Sequence, residues 1–256
     1  MQFIDSHSHL YLPEFDDDRD EVISRALDSN VTKILLPNIK NDSFDPMMQM
    51  AVKYPGICYP MMGIHPTSIK DDYTKELDFF NENIQKNEFV AIGEIGIDLY
   101  WDKTYFKEQE IAFNEQIKTA HNKNLPLVIH TRESLDSVLS LIDASGYSDL
   151  HGVFHAFTGN RKEADKIIER GFYLGIGGIL TFKNSGLSET VKHIKIDNII
   201  LETDSPYLAP VPKRGKRNES SYLRHTAEKL AEIKNLSIGE IAAVTTLNCT
   251  KLFNLD

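Results

Sequence analysis

Cysteine is scarce in this chain of 256 residues: only Cys58 and Cys249 occur, with no CxxC pair, so neither a disulfide framework nor a thiolate zinc site is available. Two ordinary buried thiols are expected. Basic charge is also in short supply, with 28 Lys and Arg against 38 Asp and Glu. The resulting net charge of −10 argues against a protein that coats nucleic acid without specificity, because that mode depends on neutralising phosphates. A small local basic site remains compatible with it. Long apolar runs are missing too. The longest uncharged stretches, Tyr54–Ile69 and Gly171–Phe182, are shorter than a membrane span, and the first carries Pro55, Pro60 and Pro66. The start, MQFIDSHSHL, lacks the basic region, apolar core and small-residue cleavage site of a secretory signal. A cytoplasmic protein with no transmembrane helix is expected.

What is present is an ordinary globular composition, 41% apolar and 26% charged. Eight short apolar runs read as strands: Gln2–His9, Val31–Ile39, Cys58–His65, Phe89–Asp98, Leu125–Thr131, His151–Phe157, Phe172–Gly178 and Asn198–Asp204. Helical stripes lie between or after them, at Asp17–Asn30, Phe106–Ala120, Ser134–Ala144, Tyr222–Ile233 and Ser237–Phe253. The last opens with Ser237 and Glu240, the spacing of a capping box. Strands alternating with helices imply right-handed crossovers and a parallel sheet. Eight such units in this length match an α/β fold of the (β/α)8 TIM-barrel type in a single domain. An open doubly wound sheet is the main rival, but it would gather chemistry at one switch point, whereas polar residues punctuate many strand ends here.

His7 and His9 are two apart on a strand, so they share a face about 6.5 Å apart along it and can approach one cation. Taken alone, such a pair is equally two surface or hydrogen-bonded histidines. Glu94, His130, His155 and Asp204 change this, because each lies in the middle or C-terminal part of its strand, and in a barrel those ends share one mouth. Four imidazoles and two carboxylates suffice for two divalent metal ions. Glu94, midway in the strand order, is the best candidate to bridge them. Imidazole-rich ligation suits zinc, manganese or iron better than calcium; ligand types do not fix selectivity, so zinc, manganese and magnesium all stay open.

These residues, in this order, resemble the TatD family of metal-dependent deoxyribonucleases among the amidohydrolase-like barrels. The likeness spans nearly the whole chain. It is carried by Asp5-Ser-His-Ser-His9, Gly63-Ile-His-Pro66, Gly93-Glu-Ile-Gly-Ile-Asp98, His130-Thr-Arg132, His155-Ala-Phe-Thr-Gly159, Thr181-Phe-Lys-Asn184, Glu202-Thr-Asp-Ser-Pro206 and the stretch Leu208–Asn218. The resemblance implies one metal held by His7, His9, Glu94 and Asp204, and a second held by Glu94, His130 and His155. It further implies a DNA substrate, with RNA as an alternative, and 3′–5′ cleavage from a single-strand end. Ala156 stands where the family often has Cys or Ser, and Ser220 where it often has Pro. Neither touches a proposed ligand; the second bears on the shape of the preceding basic loop.

In such a site a water whose pKa is lowered by the metals becomes the nucleophile, and Asp204 is the candidate to orient it and take its proton. Glu202 shares the strand parity of Asp204 and either supports a ligand imidazole or makes a structural contact inside the barrel. His65, at the end of the third strand, is placed to contact a phosphate or to make a structural bond. Lys213, Arg214, Lys216 and Arg217 follow the eighth strand and are candidates for holding a phosphodiester backbone, though most charge runs are solvated loops. Arg132 and Lys183 sit beyond the fifth and seventh strands and add to the same field. Tyr100 and Trp101 either stack on a base or pack over the barrel rim. Two rival functions remain: a small-molecule amidohydrolase using the same binuclear site, which the basic loop disfavours, and a noncatalytic nucleic-acid-binding protein, which would not need the six ligands.

Overall fold

The structure, a computed structural model, describes residues 1–255. β1 (Phe3–Asp5), β2 (Val31–Pro37) and β3 (Cys58–Met61) pair in parallel in that order. β4 (Ile92–Asp98), β5 (Leu127–Arg132), β6 (Gly152–Phe154), β7 (Tyr173–Ile176) and β8 (Ile199–Leu201) do the same. Two seams of backbone bonds close the ring. At one, Met62 N–H donates to Ala91 O (3.1 Å) and Gly93 N–H to Met62 O (2.9 Å), joining β3 to β4. At the other, Ser6 N–H donates to Leu201 O (3.2 Å) and Asp204 N–H to His7 O (2.9 Å), joining β1 to β8. Every neighbour is parallel and consecutive around the ring, so the (β/α)8 barrel expected from the sequence is the fold.

The helices are α1 (Arg19–Asp28), α2 (Asn41–Lys53), α3 (Tyr73–Lys86), α4 (Phe106–Lys123), α5 (Leu135–Ala144), α6 (Arg161–Ile168), α7 (Leu187–Lys192), α8 (Leu223–Lys234) and α9 (Ile238–Phe253). Their apolar stripes and the outward faces of the strands make one large core, including Phe15, Phe80, Phe113 and Ile117. A second, smaller core gathers Ile4, Leu35, Met61, Ala91, Val128, Val153 and Ile200 with Cys249, Leu252, Phe253 and Leu255 at the end of the chain. Strands from all sides of the ring can meet only along its axis, so these residues fill the barrel interior, and α9 stops its lower end. The expected capping box starts that helix: Ser237 Oγ accepts from Glu240 N–H (3.2 Å), and the Glu240 carboxylate accepts from Ser237 N–H (2.8 Å).

The strands are shorter than the apolar runs suggest. Gln2–His9 yields a ladder only over Phe3–Asp5, and Asn198–Asp204 only over Ile199–Leu201. At the upper end the chain turns out of the ladder, with Ala156 (φ 45°) and Asp204 (φ 55°) in the left-handed region. Cys58 and Cys249 are free and buried, and burial pushes the Cys58 thiol up to about 12. Among the described residues no helix is long and apolar enough to cross a membrane.

Candidate metal centre

The upper end of the barrel is built from short segments that leave their strands just above the apolar layer. Val128 belongs to the interior core, so His130, two residues on, points along the axis; Val153 does the same for His155, and Ile200 for Glu202. Glu94 breaks that alternation relative to Ala91. The register between β4 and β5 shifts between Ile92 and Ile95, which turns Glu94 inward.

Glu94 is the hub, and its two oxygens face different partners. Oε2 lies 3.1 Å from His7 Nε2 and 3.6 Å from His9 Nε2. Oε1 lies 2.8 Å from His155 Nε2, 3.0 Å from His130 Nδ1 and 3.2 Å from His65 Nε2. Asp204 Oδ1 completes the first side, 3.5 Å from His9 Nε2 and 3.8 Å from His7 Nε2. Ligand atoms of His7, His9 and Glu94 fall within 4.8 Å of one another, as do those of His65, Glu94 and His130, and of His7, His155 and Asp204. The structure thus brings together all six residues read as ligands from the sequence, and adds His65.

This donor set fits divalent cations. His7 Nε2 and His9 Nε2 stand 3.3 Å apart, and the His7 and His155 rings stack at 3.9 Å, an arrangement of nitrogen lone pairs that favours a shared positive charge. Burial opposes ionisation of Glu94, but the charges of His155, His65 and His7 and the bond from His130 outweigh it and hold the carboxyl well below its usual range. Asp204 behaves alike: burial opposes its charge, and His9, His155 and His7 keep its carboxyl below the ordinary value. Both carboxylates are therefore anionic near neutrality.

Hydrogen bonds on the far side of the rings fix which nitrogen faces the centre. The Tyr11 hydroxyl donates to Pro37 O (2.5 Å) and so accepts from His9 Nδ1–H (2.9 Å), leaving the His9 Nε2 lone pair on the Glu94 side. At His65, Nδ1 accepts from Thr67 N–H (3.2 Å), so Nε2 carries the proton and donates toward Glu94. Burial lowers the His65 pKa, against the pull of Glu94. This makes His65 a donor to Glu94 in the present arrangement. Glu202 accepts from Ala156 N–H (2.5 Å), and its nearer oxygen stands 3.7 Å from His155 Nδ1, beyond a hydrogen bond.

A cavity of about 690 Å³ opens over the cluster, lined by His9, His65, Glu94, His130, His155 and Asp204, by Trp101 and Arg132 on one side and by Tyr207 and Leu208 on another. Arg132 stacks its guanidinium 3.8 Å from the Tyr100 ring centroid and 5.1 Å from that of Trp101. Both aromatics are exposed rather than packed over the rim, Trp101 by 68%. Lys183, Lys213, Arg214, Lys216 and Arg217 do not line this cavity. Lys213, Lys216 and Arg217 border a separate, shallow one of about 660 Å³ with Arg25 and Glu219. Arg217 donates to Asp18 (2.7 Å) and to Glu14 O (2.6 Å), and Arg214 lies over Phe182. The loop is fixed beneath by Asn218, whose amide donates to Thr203 O (2.8 Å) and Tyr207 O (2.7 Å). Sequence reasoning missed Tyr11 and Asp98 as partners of the His9 and His130 imidazoles. Only the place of Asp98 at the end of its motif hinted at a role.

A parallel eight-stranded barrel with histidines and carboxylates converging at the upper ends of its strands defines a metal-dependent hydrolase. The family model for TatD-related DNases matches residues 4–254, and the chain belongs to that family. It is 38% identical to the metal-dependent hydrolase YabD of Bacillus subtilis over 253 residues, 98% of this chain and 99% of that protein. It is 31% identical to the 3′-5′ ssDNA/RNA exonuclease TatD of Erwinia tasmaniensis over 253 residues, 96% of this chain and 98% of that one. Among solved structures, YjjV, a TatD homolog from Escherichia coli K12, matches with a TM-score of 0.93 at 27% identity, covering 99% of this chain and 98% of that one.

Proposed function

We propose that this protein hydrolyses phosphodiester bonds in DNA, with RNA as a second substrate, taking single-stranded ends into the cavity above Glu94. The observation that carries the reading is the split of Glu94, one oxygen facing His7 and His9 and the other facing His130 and His155. Two divalent ions at those positions, zinc, manganese or magnesium, would supply Lewis-acid activation of water and of the phosphoryl group. His7, His9, Glu94 and Asp204 would hold one; Glu94, His130 and His155 the other.

The chain's own groups do the rest. Asp204 is anionic and lines the cavity, so its carboxylate is the base that orients the attacking water and takes its proton. Arg132 neutralises the phosphate, and its aromatic neighbours leave Trp101 free to stack on a base, a contact worth about 1–3 kcal/mol and tolerant of sequence. His65, also on the wall, is placed to donate its Nε2–H to a phosphate oxygen in place of Glu94. A cavity of about 690 Å³ takes one or two unpaired nucleotides and not a duplex. The loop bases Lys213, Arg214 and Lys216, with Lys183, would meet the strand farther out, and Arg217 anchors that loop.

Manganese-loaded protein incubated with end-labelled single-stranded DNA, a matching duplex, and a panel of amides and lactones tests the proposal. Shortening of the single strand from its 3′ end, abolished by chelation and restored by readdition, is expected. Turnover of amides or lactones without any of DNA would replace the nuclease reading with the amidohydrolase one.

A further inference from the structure

Asp98, the last residue of β4, is buried and meets the metal centre through one imidazole. Its Oδ2 accepts from His130 Nε2–H at 2.9 Å. Its Oδ1 accepts from Tyr100 N–H at 2.9 Å and Trp101 N–H at 3.2 Å. The backbone of Asp98 is in turn tied to α4: its N–H donates to Gln109 Oε1 (2.9 Å), and Gln109 Nε2 donates back to Asp98 O (3.3 Å). Across the β4–β5 ladder, Gly96 faces His130 and Asp98 faces Arg132. A Cβ at Gly96 would stand 2.0 Å from His130 O, so the two strands approach too closely there for any side chain.

The ring geometry has a chemical consequence. His130 stands between two carboxylates, Nε2 at 2.9 Å from Asp98 and Nδ1 at 3.0 Å from Glu94, so a cation replacing the Nδ1 proton would find the Nε2 proton still held by Asp98. The Asp98 carboxylate also makes Nδ1 a better donor to a cation. The second oxygen sets the turn that carries Tyr100 and Trp101, and Arg132 rests its guanidinium on that turn. Among the described residues no other carboxylate lies within bonding distance of His130 Nε2, so both tasks fall to one side chain.

Building on the reading of the Glu94 cluster as a metal centre, we propose that Asp98 is a positioning residue joining the second metal position to the nucleotide seat. One oxygen selects Nδ1 of His130 for the ion, and the other holds the Tyr100–Trp101 turn that presents Arg132 to the phosphate. With a cation held at Nδ1, the His130 bond to Asp98 would strengthen and the turn would tighten with it.

Asp98→Asn separates the two tasks, because an amide has one acceptor oxygen where the carboxylate has two, and cannot serve His130 and the turn together. In calorimetric titrations with Mn2+, the variant should bind its first equivalent as the wild type does and its second about 10–100-fold more weakly. Its metal-free unfolding midpoint should stay near the wild-type value, which separates positioning from a general loss of fold. Trp101 is the sole tryptophan, so its emission reports the turn directly; it should respond to the second Mn2+ equivalent in the wild type and not in the variant. A second measurement needs no substitution at Asp98. In Zn2+-loaded protein labelled with 15N-histidine, an exchange-protected Nε2–H signal should be present and should vanish in His130→Gln. Wild-type affinity of Asp98→Asn for both Mn2+ equivalents, or a proton on Nδ1 of His130, overturns this inference alone. A wild type that binds no divalent ion overturns the metal-centre reading and this inference with it.

Discussion

Glu94 is surrounded by five imidazoles, and its side chain is almost fully buried. Few buried residues carry a formal charge, and this one survives because the surrounding histidines stabilise it. Glu94→Gln keeps the shape and removes the charge. Mn2+ affinity by calorimetry should then fall by more than about 100-fold, beyond what loss of a mere supporting contact causes. Its metal-free circular dichroism and unfolding midpoint should stay close to wild type. Retention of both ions would show that Glu94 is not the bridge. Asp204→Asn asks a different question, because it leaves Glu94 intact, keeps a neutral oxygen at the first metal position and removes the base. Its turnover on single-stranded DNA should drop about 10²–10⁴-fold, with a much smaller change in KM. A variant that loses KM alone would place Asp204 in binding and not in proton transfer.

The basic stretch after β8 shows how an element's charge can be committed to the fold. Arg217 and Arg25 both bond Asp18, and Arg25 reaches Glu219 (2.7 Å), so the loop is clasped to α1. Arg217, then Arg25, pull the Asp18 carboxyl from an ordinary 3.8 to about 2 despite some burial. A carboxyl depressed in the folded state adds stability that is complete above its unfolded value, near pH 4, and is lost as pH falls through about 2. Arg217→Gln should therefore lower the urea midpoint at pH 6, and the gap to wild type should close between pH 4 and pH 2. A gap that is constant over that range would mean the clasp acts by packing over Phe15, where the guanidinium lies 4.4 Å from the ring, and not by charge. The run Lys213-Arg-Gly-Lys-Arg217 announces this charge in the sequence but not its direction, since Asp18 and Glu219 are remote along the chain from one another. The strand order and the convergence of the six candidate residues were legible because apolar periodicity and residue type both reach the same end of the barrel. The turn of Glu94 was not, because it depends on a register shift that no alternation pattern contains. Tyr11 and Asp98 were hidden for a related reason: their roles lie in the nitrogen they hold, and spacing does not encode a tautomer. Glu202 was read correctly as inward-facing, yet the backbone of Ala156 takes its hydrogen bond in place of an imidazole.

At the scale of the whole molecule, a net charge of −10 must coexist with the polyanionic substrate proposed above. Two electrostatic effects then oppose each other as salt is varied. Screening of the overall repulsion speeds the approach of DNA as salt rises, while release of counterions from each phosphate held by a cation weakens binding, with a slope near −0.7 per contact for single strands. The cavity over Glu94 has one permanently cationic side chain on its wall, Arg132. Loop bases outside that wall add contacts only if the strand extends to them. Short single strands of a few nucleotides should accordingly show a shallow dependence of log(1/KM) on log salt, about −1 or flatter, and Arg132→Ala should flatten it by roughly 0.7. Longer strands should show a steeper slope, and replacing Lys213 and Lys216 together by Ala should remove the added part while leaving short substrates unchanged. If the steep slope persists in that double variant, the outer part of the strand runs elsewhere. If Arg132→Ala leaves the short-substrate slope untouched, the guanidinium stacked on Tyr100 is spent on the turn and does not hold the phosphate, and His65 with the proposed metal positions would be left to bind it.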